Sequence, residues 1–252
     1  MKRSRSVSTQ PPLDFVIARP RLRTPPPSDF TRPRPRLPPG KSWQDGLTVA
    51  MSDPFQIFEQ DELTVTLYDA FPKARYHYLV VPRDDIHSVK ELSRDNLELL
   101  KHIHKVAENL IERVRKREQN TPFRFGYHAL PHLNRLHLHI VSQDFDSPHL
   151  WKRHHWNTFN TEYFMDSSKV IKDIENDGKI EIDDVAYKEL LTLRMHCNFK
   201  DCYERFEDLT QLTHHLHDHY GPSRAPQRVF VPKNSSRYIE GTQSSKFDSN
   251  PR

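Results

Sequence analysis

Four short stretches alternate apolar and polar or β-branched residues in the manner of strands: "ELTVTLY" (62–68), "RYHYLVV" (75–81), "FRFGYHAL" (123–130) and "LHLHIVS" (136–142). Between the second and third, Leu97, Leu100, Ile103, Ala107, Leu110, Ile111 and Val114 recur at helical spacing. Ser93 stands ahead of them as a capping hydroxyl and Thr121–Pro122 closes the run, so the pattern predicts a helix over 94–118. Hairpin, long helix, hairpin with short links predicts an α+β domain, an antiparallel sheet carrying the helix on one face. The last strand is unusual. Pleat alternation puts Leu136, Leu138 and Ile140 on one face and Arg135, His137 and His139 on the other.

Outside this patterned region the chain changes character. Ten of the 20 prolines lie in residues 1–42, alternating with arginine and leaving few apolar groups to offset the entropy of ordering. We therefore expect 1–42 to be a disordered basic tail, either solubilising or binding a polyanion, and 221–252 to be a second flexible basic tail. Residues 1–42 carry ten basic and two acidic side chains and 221–252 carry six and two, so the net charge of +4 conceals an acidic middle. Basicity alone thus argues nothing about nucleic acid for the folded part. No apolar run approaches the ~20 residues of a membrane span, and the N-terminus lacks a secretory apolar stretch, so a soluble intracellular protein is expected. Two cysteines exclude a disulfide scaffold.

Those two cysteines open Cys197-x4-Cys202-x12-His215-x3-His219. Two thiolates followed by two imidazoles at i and i+4 on a helix suit a tetrahedral Zn2+ shell, with His214 as the alternative first histidine. A closed four-ligand site is structural. Lys200 and Arg205 face Asp201, Glu204, Glu207, Asp208 and Asp218 around it. A base-reading role for this finger is disfavoured by that charge. The run "HLWKRHHWNTF" (149–159) offers Lys152, Arg153 and His155 as better phosphate contacts, with Trp156 expected in the core.

Four histidines, His128, His132, His137 and His139, fall within twelve residues. Spacing alone leaves open a hydrogen-bonded core, a solvated face, a His-only metal site, or nucleophilic catalysis by a neutral imidazole. "RLHLHIV" is similar to the signature of the histidine-triad nucleotide hydrolases and transferases, whose middle histidine forms a nucleotidyl-histidine intermediate. "FPKARYH", "GYHALP" and "LHLHIVSQDFDSPHLWKRHHWNTFNTEYF" narrow the resemblance to the aprataxin family, the zinc-finger-bearing DNA 5′-adenylate hydrolases of strand-break repair, over about 43–220.

The resemblance implies a histidine-triad fold over 43–165, and a helical segment with a C2H2 finger over 166–220 that packs on it. It implies His137 as nucleophile, His139 as its orienting and phosphate-binding neighbour, and His128 as the group assisting departure of the DNA 5′-phosphate. Lys73 would lie against the phosphates, Asp69 at the ribose hydroxyls, and Trp43 would be an aromatic wedge on a DNA end. Two positions depart from the family pattern. Arg135 replaces the first triad histidine and His132 a small hydroxyl residue; we expect both near phosphate, Arg135 on the strand face of His137 and His139. The expected protein is a nuclear or also cytoplasmic monomer that acts on adenylated or damaged DNA and releases AMP, with Zn2+ structural only. A general dinucleoside-polyphosphate or phosphoramidate hydrolase, or a weakened DNA-end adaptor, are the rival readings.

Overall fold

A computed structural model describes residues 24–222 and residue 224. The elements in chain order are α1 (Gly46–Ala50), β1 (Ile57–Gln60), β2 (Thr64–Tyr68), β3 (His77–Pro82), α2 (Leu97–Arg115), β4 (Phe123–His128) and β5 (Leu138–Ser142). They continue with α3 (Arg153–Asn160), β6 (Phe164–Asp166), α4 (Ser167–Asp177), α5 (Asp184–Leu190), β7 (Met195–His196), β8 (Arg205–Phe206) and α6 (Leu209–Tyr220). The strands β1-β2-β3-β5-β4-β6 form one sheet, antiparallel at every pairing, and β7-β8 form a small second one. No described helix is long and apolar enough to cross a membrane.

The long helix matches its apolar periodicity but is shorter than the expected span 94–118. Residues 94–96 form a 3-10 turn in which Ser93 Oγ accepts from the Asp95 N–H and Asn96 Oδ1 accepts from the Ser93 N–H, and α2 follows. Its stripe of Leu100, Ile103, Ala107, Leu110, Ile111 and Val114 is buried. This stripe packs on Tyr76, Tyr78, Val80, Leu138 and Ile140, the apolar face of β3 and β5. Each such aliphatic side chain contributes roughly 1.5–3 kcal/mol on leaving water. The stripe therefore fixes which face of the last two central strands points away from solvent, and with it the face left for chemistry.

That second face carries two apolar patches with polar side chains between them. On one side Leu47 and Ala50 of α1 cover Val65, Leu67, Leu79 and Val81. On the other, Trp156 and Phe159 of α3 share a core with Val141, Phe145 and Phe164 of the sheet side and with Met195, Leu209, Leu212 and Leu216 of the finger. The finger is thus continuous with the sheet domain. Trp156 is fully buried, as expected, with its Nε1–H donating to the His196 carbonyl at 3.1 Å. Strand β6 reaches β4 only because residue 126 is glycine: a Cβ there would lie 2.2 Å from the Met165 carbonyl oxygen.

Residues 24–42 fall within the tail expected to be disordered, and the structure describes them. This segment lies along the domain: the Gln56 Nε2–H donates to the Pro33 carbonyl at 2.8 Å, and the Arg32 guanidinium sits 3.6 Å above the Tyr68 ring. Prolines lower the entropy lost on ordering, and guanidinium–aromatic stacking needs no apolar periodicity, so the usual sequence signal is missing. Residues 1–23, and the second tail beyond Gly221, Pro222 and Arg224, lie outside the described residues.

Candidate active site and zinc-binding finger

Register assembles the histidines. Leu79 pairs with His139 and Gly126 pairs with His139, so His77 two residues before Leu79, His139, and His128 two residues beyond Gly126 share one face of three adjacent strands. His128 and His139 have ring centroids 4.2 Å apart, His137 and His139 4.8 Å, and His77 and His139 5.2 Å. Phe159 of α3 abuts His77, His128 and His139 at 5.5, 4.8 and 5.4 Å. His77 and Phe159 were not singled out in the sequence, since only strand register and the docking of α3 bring them in. Alternation within "RYHYLVV" puts His77 on the face of Leu79 and Val81, which is the signal that was available.

Hydrogen bonds define the protonation pattern. The Lys73 backbone N–H donates to His77 Nδ1 at 3.0 Å, so in neutral His77 the proton sits on Nε2. That nitrogen lies 3.0 Å from His139 Nδ1 and 3.4 Å from Asp69 Oδ2. Donation to His139 Nδ1 leaves the second proton of the relay on His139 Nε2. His137 Nδ1–H donates to the Arg135 carbonyl at 2.8 Å, so its Nε2 carries a bare lone pair. The Nε2 atoms of His128 and His139 are both buried with no hydrogen-bond partner among the described residues. Unpartnered buried polar atoms are costly, and two of them on neighbouring rings suit a ligand that supplies the missing bonds.

Electrostatics keep these rings uncharged. Burial, then the neighbouring Asp69 pulling the other way and the Lys73 ammonium, leaves His77 at about 4. Burial likewise holds His137 below the ordinary imidazole value, opposed by the Arg135 carbonyl and Asp69. For His128 and His139 the depression is large, burial first and the surrounding imidazoles and Lys73 second. Burial and Lys73 also depress His149 and His155. The Lys73 ammonium therefore bears on His77, His128, His139, His149 and His155.

Arg135 is not where pleat alternation places it. The strand begins at Leu138, and Arg135 has φ +84°, which breaks the two-residue repeat. Its guanidinium turns away to Asp85 Oδ1 at 2.8 Å and to the carbonyls of Pro82, Arg83 and Asp84 at 2.9 Å each. The expected phosphate cation is a buried structural tie, and the residue reaches the site through its backbone carbonyl on His137. Arg153 is also committed elsewhere: it bonds Glu207 Oε2 at 2.9 Å and the carbonyls of Thr192 and Glu207, tying α3 to the finger. That correction follows from the acidic finger lying beside it.

The remaining expected residues line the surroundings. Asp69 faces His77 and accepts from the Phe71 N–H at 2.6 Å. Exposed His132 meets the edge of the Trp43 ring at 6.5 Å, and Trp43 is 42 % exposed. Lys152 lies 4.3 Å over the Trp151 ring, whose edge meets His155 at 5.2 Å.

In the finger, donor atoms of Cys197, Cys202, His215 and His219 lie within 4.8 Å of one another. Cys202 Sγ is 3.3 Å and His219 Nε2 3.1 Å from His215 Nε2, close to the ligand–ligand spacing of a tetrahedral zinc shell. Phe199 stacks flat on His219 at 4.1 Å, and His214 faces His217 instead. The donor set fits Zn2+.

Known proteins match in the same order. Residues 43–155 match the family described as "Scavenger mRNA decapping enzyme C-term binding", and 160–221 match the "C2HE / C2H2 / C2HC zinc-binding finger". The chain is 44 % identical to aprataxin of Gallus gallus over 178 residues, which is 71 % of this chain and 55 % of that protein. It is 41 % identical to aprataxin of Danio rerio over 177 residues, 70 % of this chain and 53 % of the relative. It thus spans about half the length of these relatives. The crystal structure of the aprataxin ortholog Hnt3 in complex with DNA superposes with a TM-score of 0.58 at 24 % identity, covering 71 % of this chain and 95 % of that one. Over residues 43–221, therefore, the chain is aprataxin-like, a histidine-triad domain joined to the zinc-binding finger of that family.

Proposed function

We propose that this chain hydrolyses the phosphoanhydride of 5′-adenylated DNA, releasing AMP and restoring the 5′-phosphate. The observation that carries the reading is the His137 ring: Nδ1–H is fixed on the Arg135 carbonyl at 2.8 Å, and burial favours the neutral ring, so Nε2 offers its lone pair as the nucleophile. Its lone pair attacks the AMP phosphorus. An N–P bond forms, the anhydride P–O bond breaks, and the electron pair leaves on the DNA 5′-phosphate. Water then attacks the same phosphorus, the N–P bond returns its electrons to His137, and AMP departs.

The other groups act on charge and position. The relay from the Lys73 N–H through His77 presents His139 Nε2–H to a phosphoryl oxygen, and the Lys73 ammonium offsets the negative charge. His128, buried and uncharged, assists the departing phosphate by a hydrogen bond from its ring and not as an imidazolium. Asp69 receives the ribose hydroxyls. Cys197, Cys202, His215 and His219 hold zinc, which supplies a cross-link that fixes the finger against α3. Trp43 stacks on the terminal base pair and Lys152 meets phosphate. Support for a DNA substrate comes from the aprataxin relatives and the DNA-bound Hnt3. The protein works in the nucleus as a monomer.

A nicked duplex bearing 5′-AMP tests the proposal. The unaltered chain should release AMP, leave a 5′-phosphate, and yield an acid-labile adenylyl adduct on His137 by mass spectrometry. His137→Ala should lower turnover by at least about 10³-fold. Undiminished turnover in that variant would refute the assignment, and diadenosine polyphosphates cleaved in preference to adenylated DNA would favour a general nucleotide hydrolase.

A further inference from the structure

The loop between β2 and β3, residues 69–76, together with His77 supplies three of the groups used above: Asp69, Lys73 and the first ring of the relay. It lies between the strands, its end tied to β5 by the Ser142 N–H donating to the Tyr76 carbonyl at 2.9 Å and to Asp144 by the Arg75 N–H at 3.0 Å, and the segment at 24–42 runs along it. Ser28 brackets the end of the loop twice, its N–H donating to the Arg75 carbonyl at 2.6 Å and its Oγ accepting from the His77 N–H at 3.1 Å. The Tyr78 hydroxyl donates to the Pro26 carbonyl. At the start of the loop the Arg32 guanidinium covers Tyr68 and donates to the Phe55 carbonyl at 2.6 Å, and the Arg34 guanidinium lies 4.1 Å over Phe71. Phe30 approaches His149 at 6.1 Å, and His149 in turn meets Phe71 at 5.9 Å. Both ends of the loop are thus held by one nine-residue stretch, 26–34. That stretch lies outside both family matches, which begin at residues 43 and 160.

We infer that residues 26–34 are a strap that positions the 69–77 loop for reaction, with Ser28 as a positioning residue for His77. The inference rests on the proposed reading of the site as a phosphoryl-transfer centre. Without Ser28 Oγ the His77 backbone N–H loses its acceptor and the turn that sets Lys73 N–H against His77 Nδ1 is free to shift. A displaced His77 no longer dictates the proton on His139, and small displacements of such groups cost rate far more than binding. The prolines on either side suit the task, because a stiff strap loses little entropy on docking.

The test compares Ser28→Ala, Ser28→Thr and Arg32→Ala/Arg34→Ala in the full chain. With adenylated nicked DNA, Ser28→Ala should lower kcat roughly fivefold to tenfold, the worth of about one hydrogen bond, with KM within twofold. Ser28→Thr keeps the hydroxyl and should restore kcat; the double arginine variant should behave like Ser28→Ala. A second readout is independent of substrate: 15N chemical shifts of the imidazole rings should report a single Nε2–H tautomer for His139 in the unaltered chain and a mixture in Ser28→Ala. Unchanged kcat or an unchanged tautomer in Ser28→Ala would overturn the strap. If the unaltered chain proves inactive on adenylated DNA, the catalytic reading fails while the ring shifts still decide whether the strap orders His77.

Discussion

Acid should destabilise this protein through His77, and the size of the effect follows from its surroundings. The ring is 2 % exposed, and its Nδ1 accepts from the Lys73 N–H, so protonation of the folded state must break that bond and charge a buried group. Its native value of about 4 lies below the unfolded imidazole at about 6.5. A depressed folded-state value means the unfolded chain takes up the proton first. The stabilising contribution is therefore complete above pH 6.5 and is lost as pH falls toward 4. Over that whole window the loss is about 3 kcal/mol, and by pH 5 it is roughly 2 kcal/mol. Urea unfolding of the zinc-loaded full chain at pH 7 and pH 5, alongside His77→Asn, isolates this effect. The variant starts lower, having left the Lys73 N–H without its imidazole, but it lacks the titration and should lose about 2 kcal/mol less between the two pH values. Contributions from the zinc ligands occur in both proteins and cancel to first order. Equal pH slopes would mean that His77 is charged in the folded protein, and a charged His77 cannot accept from Lys73. The tautomer relay to His139 would fall with it.

Two further outcomes separate structure from chemistry. Arg135→Lys retains charge but loses the fork that joins Asp85 and three carbonyls, so unfolding free energy should drop on the order of 3 kcal/mol while kcat of the folded protein stays within about threefold; unaltered stability with a large loss of kcat would return the guanidinium to the phosphate. Cys197→Ser/Cys202→Ser should lose stoichiometric zinc by metal analysis and lower the unfolding midpoint, since Cys197 is 4 % exposed within the core shared by the finger and α3; retained zinc would place the metal elsewhere, and Asp69, His77 and His139 are the other described group whose donor atoms converge.

What could be read ahead of the structure, and what could not, divides along a physical line. The stripe of α2 and the apolar face Leu136, Leu138 and Ile140 were legible because side-chain direction follows a local period of 3.6 or 2. The Cys/His cluster of the finger was legible because i, i+4 spacing on one helix brings His215 and His219 together without any long-range information. His77 was not, although it sits in an expected strand. Its meaning depends on which residue of β5 lies opposite, and register is decided by loops and packing. Arg135 departs from the alternation because the strand begins only at Leu138, and a single positive φ rotates the side chain out of the pleat. The same rotation leaves its carbonyl 2.8 Å from His137 Nδ1. A histidine is usual at that place in the family resemblance, yet the bond to His137 comes from the main chain, which any residue tolerating that backbone could provide. An arginine at this place is thus compatible with the proposed role of His137, because the group held against its Nδ1 is a peptide oxygen and the side chain is committed to the loop at 82–85.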